Sequence, residues 1–435
     1  MICCPCSVAE IPVKNPASSP ARRCNAALGI QWIGKQGKTI ATKRIQATGI
    51  FMKLAILGCG YVANMYRLTL SMHPELTLVG VYDRERSRAE TMSRLTKAHA
   101  YPDFQSLLED EQVSLVLNLT NPASHYETTK ALLTAGKHVY SEKPLAMRLD
   151  HAEELTDLAE AKGLLLVSAP CTLLNPVAQT LWQAVRDDRI GRIRLVHAEM
   201  EDGMVARAPT SKWINEGGIA WPTIDEFQTG CTVEHAGYVL TWICAMFGPA
   251  VRLTAHSEEL MPDKIPGVEL ASAPDYSVAT IRFASGVVAR LTNGIYAEHD
   301  HRLRLFGDDG VLDVEDPRSD TSPIRLRRYH TIRRRRFLSP ISRKLPKLGG
   351  KETIAAYRGS QTRDFCRAIA DMARAIRTGT RPVTDARFAL HVTELTLAAH
   401  FASHETAQQA GFPGGLSMPY EPKSRFDPIT PVERA

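Results

Sequence analysis

The chain has no apolar run long enough to cross a bilayer. No stretch of 18 apolar residues occurs in its 435 residues. The longest candidate, around Tyr238–Met246, is too short and is interrupted by Thr241, so no membrane span is expected. A disulfide framework is lacking as well. Of nine cysteines, Cys3, Cys4, Cys6 and Cys24 crowd into the first 51 residues, and the other five are scattered with no Cys-x-x-Cys pair. That spacing supports neither a zinc site nor a dithiol redox motif, so no metal is expected, and reduced thiols suit a cytoplasmic location. Internal repeats are absent, which excludes a solenoid or propeller.

Acidic residues are missing from two places. Residues 1–51 hold one acid, Glu10, among several Lys and Arg. A basic, acid-poor leader has this composition, but a strand pattern starts directly after Met52, and Met52 is the expected working start. We set 1–51 outside the fold. The second place lies between Arg325 and Lys351, with eleven Lys/Arg, including Arg333-Arg334-Arg335-Arg336, and no acid. Taking those eleven from the net charge of +6 leaves −5 for the remainder. The protein is a mildly acidic body with one basic excursion. Such a run predicts a solvated, mobile loop, with an anionic-substrate lid or an acidic-lipid contact as sharper readings. Only Tyr329 and Phe337 interleave with its cations, which argues against nucleic acid as a partner.

Hydrophobic content of 44% and charged content of 23% suit a globular protein, and the length is too great for one core. Residues 52–143 alternate strand-like and helix-like patterns. Val113–Leu119 is almost continuously apolar, as a strand buried on both faces requires. His125–Thr134 reads as a helix closed by Gly136, His138–Tyr140 as a strand, Asp150–Lys162 as a helix ended by Gly163, and Leu164–Ser168 as a strand. This is the rhythm of a doubly wound parallel sheet.

After Pro176 the texture changes. Val177–Arg186 reads as a helix and Arg192–Met200 as a strand. Tyr276–Phe283, Val287–Thr292, Arg302–Phe306 and Val311–Val314 follow as a meander turning at Ser285-Gly286 and Asp308-Asp309-Gly310. Short turns between consecutive strands predict an antiparallel sheet in an α+β domain. Phe365, Ile369, Met372 and Ile376 recur at helical spacing, as do Phe388, Val392 and Leu395. The expected division is 52–172 for the first domain, 173–405 for the second, and a loosely ordered tail over 406–435.

The chemistry concentrates where the first strand ends. Leu54–Leu57 runs into Gly58-Cys59-Gly60-Tyr61-Val62-Ala63, and a helix pattern follows. Gly58 permits a tight turn, Gly60 lets a pyrophosphate reach the backbone, and small Ala63 lets the helix pack on the strand. Free N–H groups at the helix start face the phosphate. Leu76–Asp83 reads as the next strand and ends in an acid 25 residues after Gly58. Asp83 can accept both ribose hydroxyls and would repel a 2′-phosphate, so NAD is favoured; Arg84 beside it softens that preference and leaves NADP open.

Together with this turn, Ala135-Gly-Lys-His-Val-Tyr-Ser-Glu-Lys-Pro144-Leu-Ala resembles the Gfo/Idh/MocA family of NAD(P)-dependent oxidoreductases of sugars, inositols and related polyols. The resemblance runs from about Met52 to at least Phe401. It implies an N-terminal Rossmann domain followed by an α+β domain with an open, mainly antiparallel sheet. It further implies that Lys143 hydrogen-bonds the reacting oxygen, that Glu142 lies near the nicotinamide ribose, and that a cis bond can precede Pro144. Thr120-Asn121-Pro122 and then His125 stand where the family commonly has Thr-Pro-Asn and then His, so Thr120, Asn121 and His125 are expected around the cofactor, His125 more as a wall or cap than in chemistry. Tyr61, Val62 and Arg84 complete the expected cofactor contacts.

Gly230-Cys-Thr-Val-Glu234-His-Ala-Gly-Tyr238 departs from the family's Gly-x-x-x-Asp-x-Gly-x-His. The register to Gly248 puts Glu234 at the Asp position and Tyr238 at the His position. Tyr238 is then the expected proton relay, its pKa lowered by a nearby cation such as Lys143, with His235 as the rival. Glu234 would orient a substrate hydroxyl or merely serve the helix start. The long connection 201–229 carries Trp213 and Trp221, which either stack on a sugar face or staple the loop. The leading expectation is hydride transfer between NAD(P) and a secondary alcohol or ketone of a sugar-like small molecule. Redox-neutral chemistry with retained NAD, as in a glycosidase or epimerase, and a non-catalytic NAD(H)-binding regulator are the alternatives. An open sheet face usually needs covering, so a homo-oligomer is expected.

Overall fold

The structure, a computed structural model, describes residues 51–348, 363–403 and 410–431. The expectations for residues 1–50, for the end of the basic run at 349–351 and for parts of the tail lie outside the described residues.

A strand–helix alternation builds the first layer. It runs β1 (Met52–Leu57), α1 (Tyr61–Leu70), β2 (Leu76–Tyr82), α2 (Arg86–Thr96), β3 (His99–Ala100), α3 (Phe104–Glu109), β4 (Leu115–Asn118), α4 (His125–Thr134), β5 (His138–Ser141), α5 (Leu149–Ala161) and β6 (Leu166–Ser168). The strands form one six-stranded sheet in the order β3-β2-β1-β4-β5-β6, parallel throughout. All four residues of β4 are buried, as its continuous apolar run predicts for a sheet covered on both faces. The order reverses between β1 and β4, and the carboxyl ends of these strands flank the crevice where such sheets take ligands.

The chain then forms α6 (Pro176–Arg186), β7 (Ile193–Glu201), α7 (Thr223–Thr229), α8 (Cys231–Phe247), β8 (Ala250–Glu258), β9 (Tyr276–Phe283), β10 (Val288–Gly294), β11 (Leu303–Gly307), β12 (Gly310–Val314), β13 (Ile324–Ile332), β14 (Arg335–Leu338), β15 (Arg343–Lys344), α9 (Arg367–Thr378) and α10 (Ala386–His400). The second sheet has the order β14-β13-β12-β11-β7-β10-β9-β8, with β15 also on β13. It is antiparallel except for the β7–β10 pair. Helices α8 and α10 pack together against one face. α10 is buried all round, between α8, α5 and the second sheet, so its apolar residues need no solvent face. α9 instead joins the first sheet's core: Cys366, Ile369 and Met372 cluster with Leu54, Ile56 and Tyr66.

Two expectations fail here. The basic run is no loop over its described part. Ile324 and Leu326 point into the core while Arg325 and Arg327 face outward, the period-two pattern of a strand. The chain turns at Arg333, in left-handed conformation, and pairs back as β14. Arg336 reaches the Asp308 carbonyl and lies 5.0 Å over the Tyr329 ring, which disperses the like charge. The described part of the tail is no loose end either. Leu253 and Tyr420 exchange backbone hydrogen bonds of 2.8 and 2.7 Å, the Tyr420 hydroxyl donates to Glu394 at 2.5 Å, and Phe426 is buried on Phe388.

Candidate active site

The glycine turn is dictated by crowding on one side and space on the other. Gly58 has φ +92°, and a Cβ there would lie 2.7 Å from the Leu119 carbonyl and the Thr120 nitrogen. A Cβ at Gly60 would meet nothing within 4 Å, which leaves the opening a pyrophosphate needs. Ala63 is fully buried beneath the start of α1. Asp83 accepts from the Cys59 N–H at 2.7 Å and the Glu85 N–H at 2.8 Å. Its carboxylate therefore both braces the turn and stands at the end of β2, where a ribose would lie.

A cavity of about 300 Å³ opens from this turn. Its walls hold Gly58, Gly60, Tyr61, Val62, Asp83, Arg84, Thr120, Asn121, Glu142, Lys143 and Glu234, so both ends of the expected site face one space. The residues fit a dinucleotide: a glycine turn, a strand-end acid and a helix start sit in the required order. Sequence reasoning missed Arg88 and Phe104 on the same wall. Arg88 stands in the first turn of α2, four positions after Arg84 and three after the N-cap Glu85, a nearness that could have flagged it. Phe104 stacks on Tyr82 with ring planes 18° apart, forming an aromatic side near Asp83.

Lys143 and Glu142 sit at the opposite end, just after β5, and the Lys143–Pro144 bond is cis. Glu142 accepts from the Tyr66 hydroxyl at 2.6 Å and the Lys143 N–H at 3.0 Å, which fixes its side chain from below. Lys143 forms a buried ion pair with Glu234, in the first turn of α8. Burial opposes the ammonium, but Glu234, with Tyr238 beside it, holds Lys143 above the ordinary lysine value. Burial likewise opposes the Glu234 carboxylate, and Lys143 holds it below the ordinary value. Both shifts describe a charged pair. Glu234 thus does more than serve its helix end.

Besides Ala63, beneath the turn, three expected residues are not on the cavity wall. His125 is fully buried behind it, its Nδ1 2.7 Å from the Pro144 carbonyl and its Nε2 3.0 Å from that of Thr120. It clamps two site loops together and makes no opening toward a cofactor. Tyr238 lies one turn beyond Glu234, with the Arg363 guanidinium 5.4 Å and that of Arg318 6.0 Å from its ring. The expected cations are near, yet burial outweighs the pull of Arg363 and Lys143, and the phenol is raised, not lowered. His235 turns away toward β7, its Nε2 2.8 Å from Asp202. Burial keeps its pKa below the ordinary histidine value despite that carboxylate.

Asp202 was not foreseen. It also meets His301 at 2.8 Å and Arg318 at 3.1 Å, and Arg318 and His235 hold it well below the usual range against burial. His299 completes a group within metal-binding distance, but the Arg318 guanidinium already supplies the positive charge there. The two tryptophans staple the loop: Trp221 is buried, edge-on to Trp213 at 5.0 Å and to Phe227 at 5.9 Å. Asn215 of the same connection donates to the Tyr61 carbonyl at 3.3 Å, and Arg67 pairs with Glu216 at 2.6 Å. The connection therefore lies against α1, and it carries Asp225 and Glu226 to the cavity.

Comparison with known proteins agrees with this geometry. Residues 52–169 match the oxidoreductase family with NAD-binding Rossmann fold, and residues 178–313 match the GFO/IDH/MocA C-terminal domain. The chain belongs to the Gfo/Idh/MocA oxidoreductase family. It is similar to a myo-inositol 2-dehydrogenase of Thermotoga maritima, 25% identical over 274 residues, 62% of this chain and 77% of that protein. It is also similar to a dTDP-3,4-didehydro-2,6-dideoxy-alpha-D-glucose 3-reductase of Streptomyces antibioticus, 29% identical over 268 residues, 61% of this chain and 75% of the other. Among solved structures, levoglucosan dehydrogenase in complex with NADH and levoglucosan shares the fold with a TM-score of 0.66 at 18% identity, over 80% of this chain and 96% of that one. The protein is an NAD-binding dehydrogenase or reductase. Among the described residues, no helix is long and apolar enough to cross a membrane.

Proposed function

We propose that this protein transfers hydride between NAD(P) and a secondary alcohol or ketone of a sugar, polyol or nucleotide sugar. The observation that carries the reading is the single cavity that joins the glycine turn to Lys143. The bound nicotinamide supplies the hydride acceptor or donor. The chain's own residues bind and orient. Gly58–Val62 and Asp83 hold the dinucleotide end, and Thr120, Asn121 and Glu142 flank the path to Lys143. Lys143, kept charged by Glu234, donates to the reacting oxygen and stabilises its negative charge as hydride moves. Tyr238, one turn beyond Glu234 and behind the cavity wall, is our assignment for the proton relay, acting on the reacting oxygen through Lys143. Its raised pKa keeps the phenol protonated at rest, so it can return to Lys143 the proton that Lys143 gives to an alkoxide during ketone reduction. The relatives named above act on an inositol and on a deoxysugar nucleotide, which supports a polyhydroxylated ring as the substrate class. Arg84 and Arg88 on the ribose end favour acceptance of NADP as well as NAD.

The test is direct. The purified protein is screened with NAD, NADP and their reduced forms against a panel of sugars, inositols and nucleotide sugars, following nicotinamide absorbance. Net NAD(P)H change with at least one ring alcohol or ketone is expected. Product formation with no net change would move the reading to redox-neutral chemistry.

A further inference from the structure

The connection between β7 and α8 brings a second carboxyl group to the one already paired with Lys143. Glu226, on α7, lines the cavity alongside Glu234 and Lys143, and it borders a smaller recess together with Glu234. Two carboxyl groups brought together in this way can share a hydrogen bond only with a proton on one of them. Glu234 faces the Lys143 ammonium, so the proton belongs on Glu226. Two ionised carboxylates around one ammonium would leave a net negative charge where the reacting oxygen must become anionic.

Resting on the hydride-transfer reading above, we propose that protonated Glu226 is a positioning residue: it donates to Glu234, so that one carboxylate balances Lys143 and the ammonium keeps N–H groups for the substrate oxygen. Ionised Glu226 puts a second negative charge on the pair and competes with the substrate for Lys143. Desolvation of this half-buried carboxyl, together with the Glu234 carboxylate, pushes Glu226 up to about 7, against the pull of Lys143, so the change of state falls in the neutral range. The charged surroundings are few. Asp225 of the same helix lines the cavity. His235 of α8 borders a small recess shared with Glu226, and burial keeps it neutral. Lys264 and Asp275 border that recess too, but Lys264 is held by Glu259 at 2.5 Å and Asp275 at 3.5 Å.

The experiment measures kcat/KM for ketone reduction against pH in the wild type and in Glu226→Gln, whose amide keeps a donor and cannot ionise. Above about pH 7 the wild type is expected to fall roughly tenfold per pH unit relative to the variant. Glu226→Asp should keep the limb. Parallel profiles for wild type and Glu226→Gln overturn the proposal. Infrared titration of the wild type gives a readout apart from turnover. A carboxylic-acid band is expected to vanish as pH rises through about 7, and to shift in Glu226→Asp; absence of any such band also overturns the proposal. Should no substrate react with either cofactor, the functional reading fails, and the infrared difference between the wild type and Glu226→Asp still decides the state of Glu226, since Glu201 also titrates near 7 and is unchanged between them.

Discussion

The two ends of the cavity are built on different plans. At the dinucleotide end the constraint is on the backbone: Gly58 must take a positive φ against the Leu119 carbonyl, Gly60 must leave open space, and Asp83 must brace the Cys59 N–H. At the chemical end the constraint is on side chains brought from afar: Lys143 follows β5, Glu226 rides on α7, and Glu234 and Tyr238 stand on α8. The first plan tolerates few residue types and is written locally. The second is an electrostatic balance among groups up to 95 positions apart, from Lys143 to Tyr238, and several residue types can satisfy it.

That contrast is exposed to mutation, most sharply at the chemical end. Lys143→Ala is expected to lower kcat by about 10³-fold while NAD(P)H affinity, read by fluorescence titration, stays within a few-fold. It also leaves Glu234 buried without its cation, which should cost about 3–5 kcal/mol of stability, and Lys143→Ala/Glu234→Gln should recover much of that in a denaturant melt. A comparable loss of cofactor binding in the single variant would show that the two ends are not separable. Next, Tyr238→Phe should cut kcat by about 10²-fold. Should it keep full activity while His235→Gln loses it, the proton relay moves to His235 and its Asp202 partner.

The dinucleotide end should respond differently. Gly58→Ala is expected to cost about 1–3 kcal/mol from the unfavourable φ alone, with further loss from the 2.7 Å clash, and to weaken NAD binding in parallel with the fall in Tm. A variant with normal Tm and weakened binding would mean the turn acts on the ligand alone. The smallest effect is expected from Arg84→Ala/Arg88→Ala, both exposed: a several-fold rise in Kd for NADP with little change for NAD. An equal rise for both cofactors would place these arginines away from the 2′ position.

Most of the fold is legible along the chain. The helix at His125–Thr134 and the strand at Tyr276–Phe283 have the boundaries that periodicity assigns. In the basic hairpin the density of arginines obscures the alternation; Ile324 and Leu326 carry the strand signal between them. The tail's Pro-rich texture hides three anchors: Tyr420 pairs with β8 and donates to Glu394 of α10, Phe412 packs on Tyr420, and Phe426 packs on Phe388 of α10. Within the site, Glu226 had no readable signal, since an acid on a short helix looks solvated until α8 places Glu234 against it. Tyr238 was expected to be acidified by its cations; desolvation, which depends on the whole surrounding core, reversed the sign.

By itself, the sequence determined the parallel sheet, the glycine turn, the acid that closes it and the lysine that follows β5. Each is a local constraint of backbone conformation or strand burial, and such constraints are visible within a few residues. Only the tertiary structure decided which carboxylate meets Lys143, that His125 clamps loops instead of touching the cavity, that His235 turns to Asp202, and that Glu226 shares a wall with Glu234 and Lys143. Those outcomes depend on distance and desolvation among residues far apart in the chain, and neither quantity exists until the two sheets are packed.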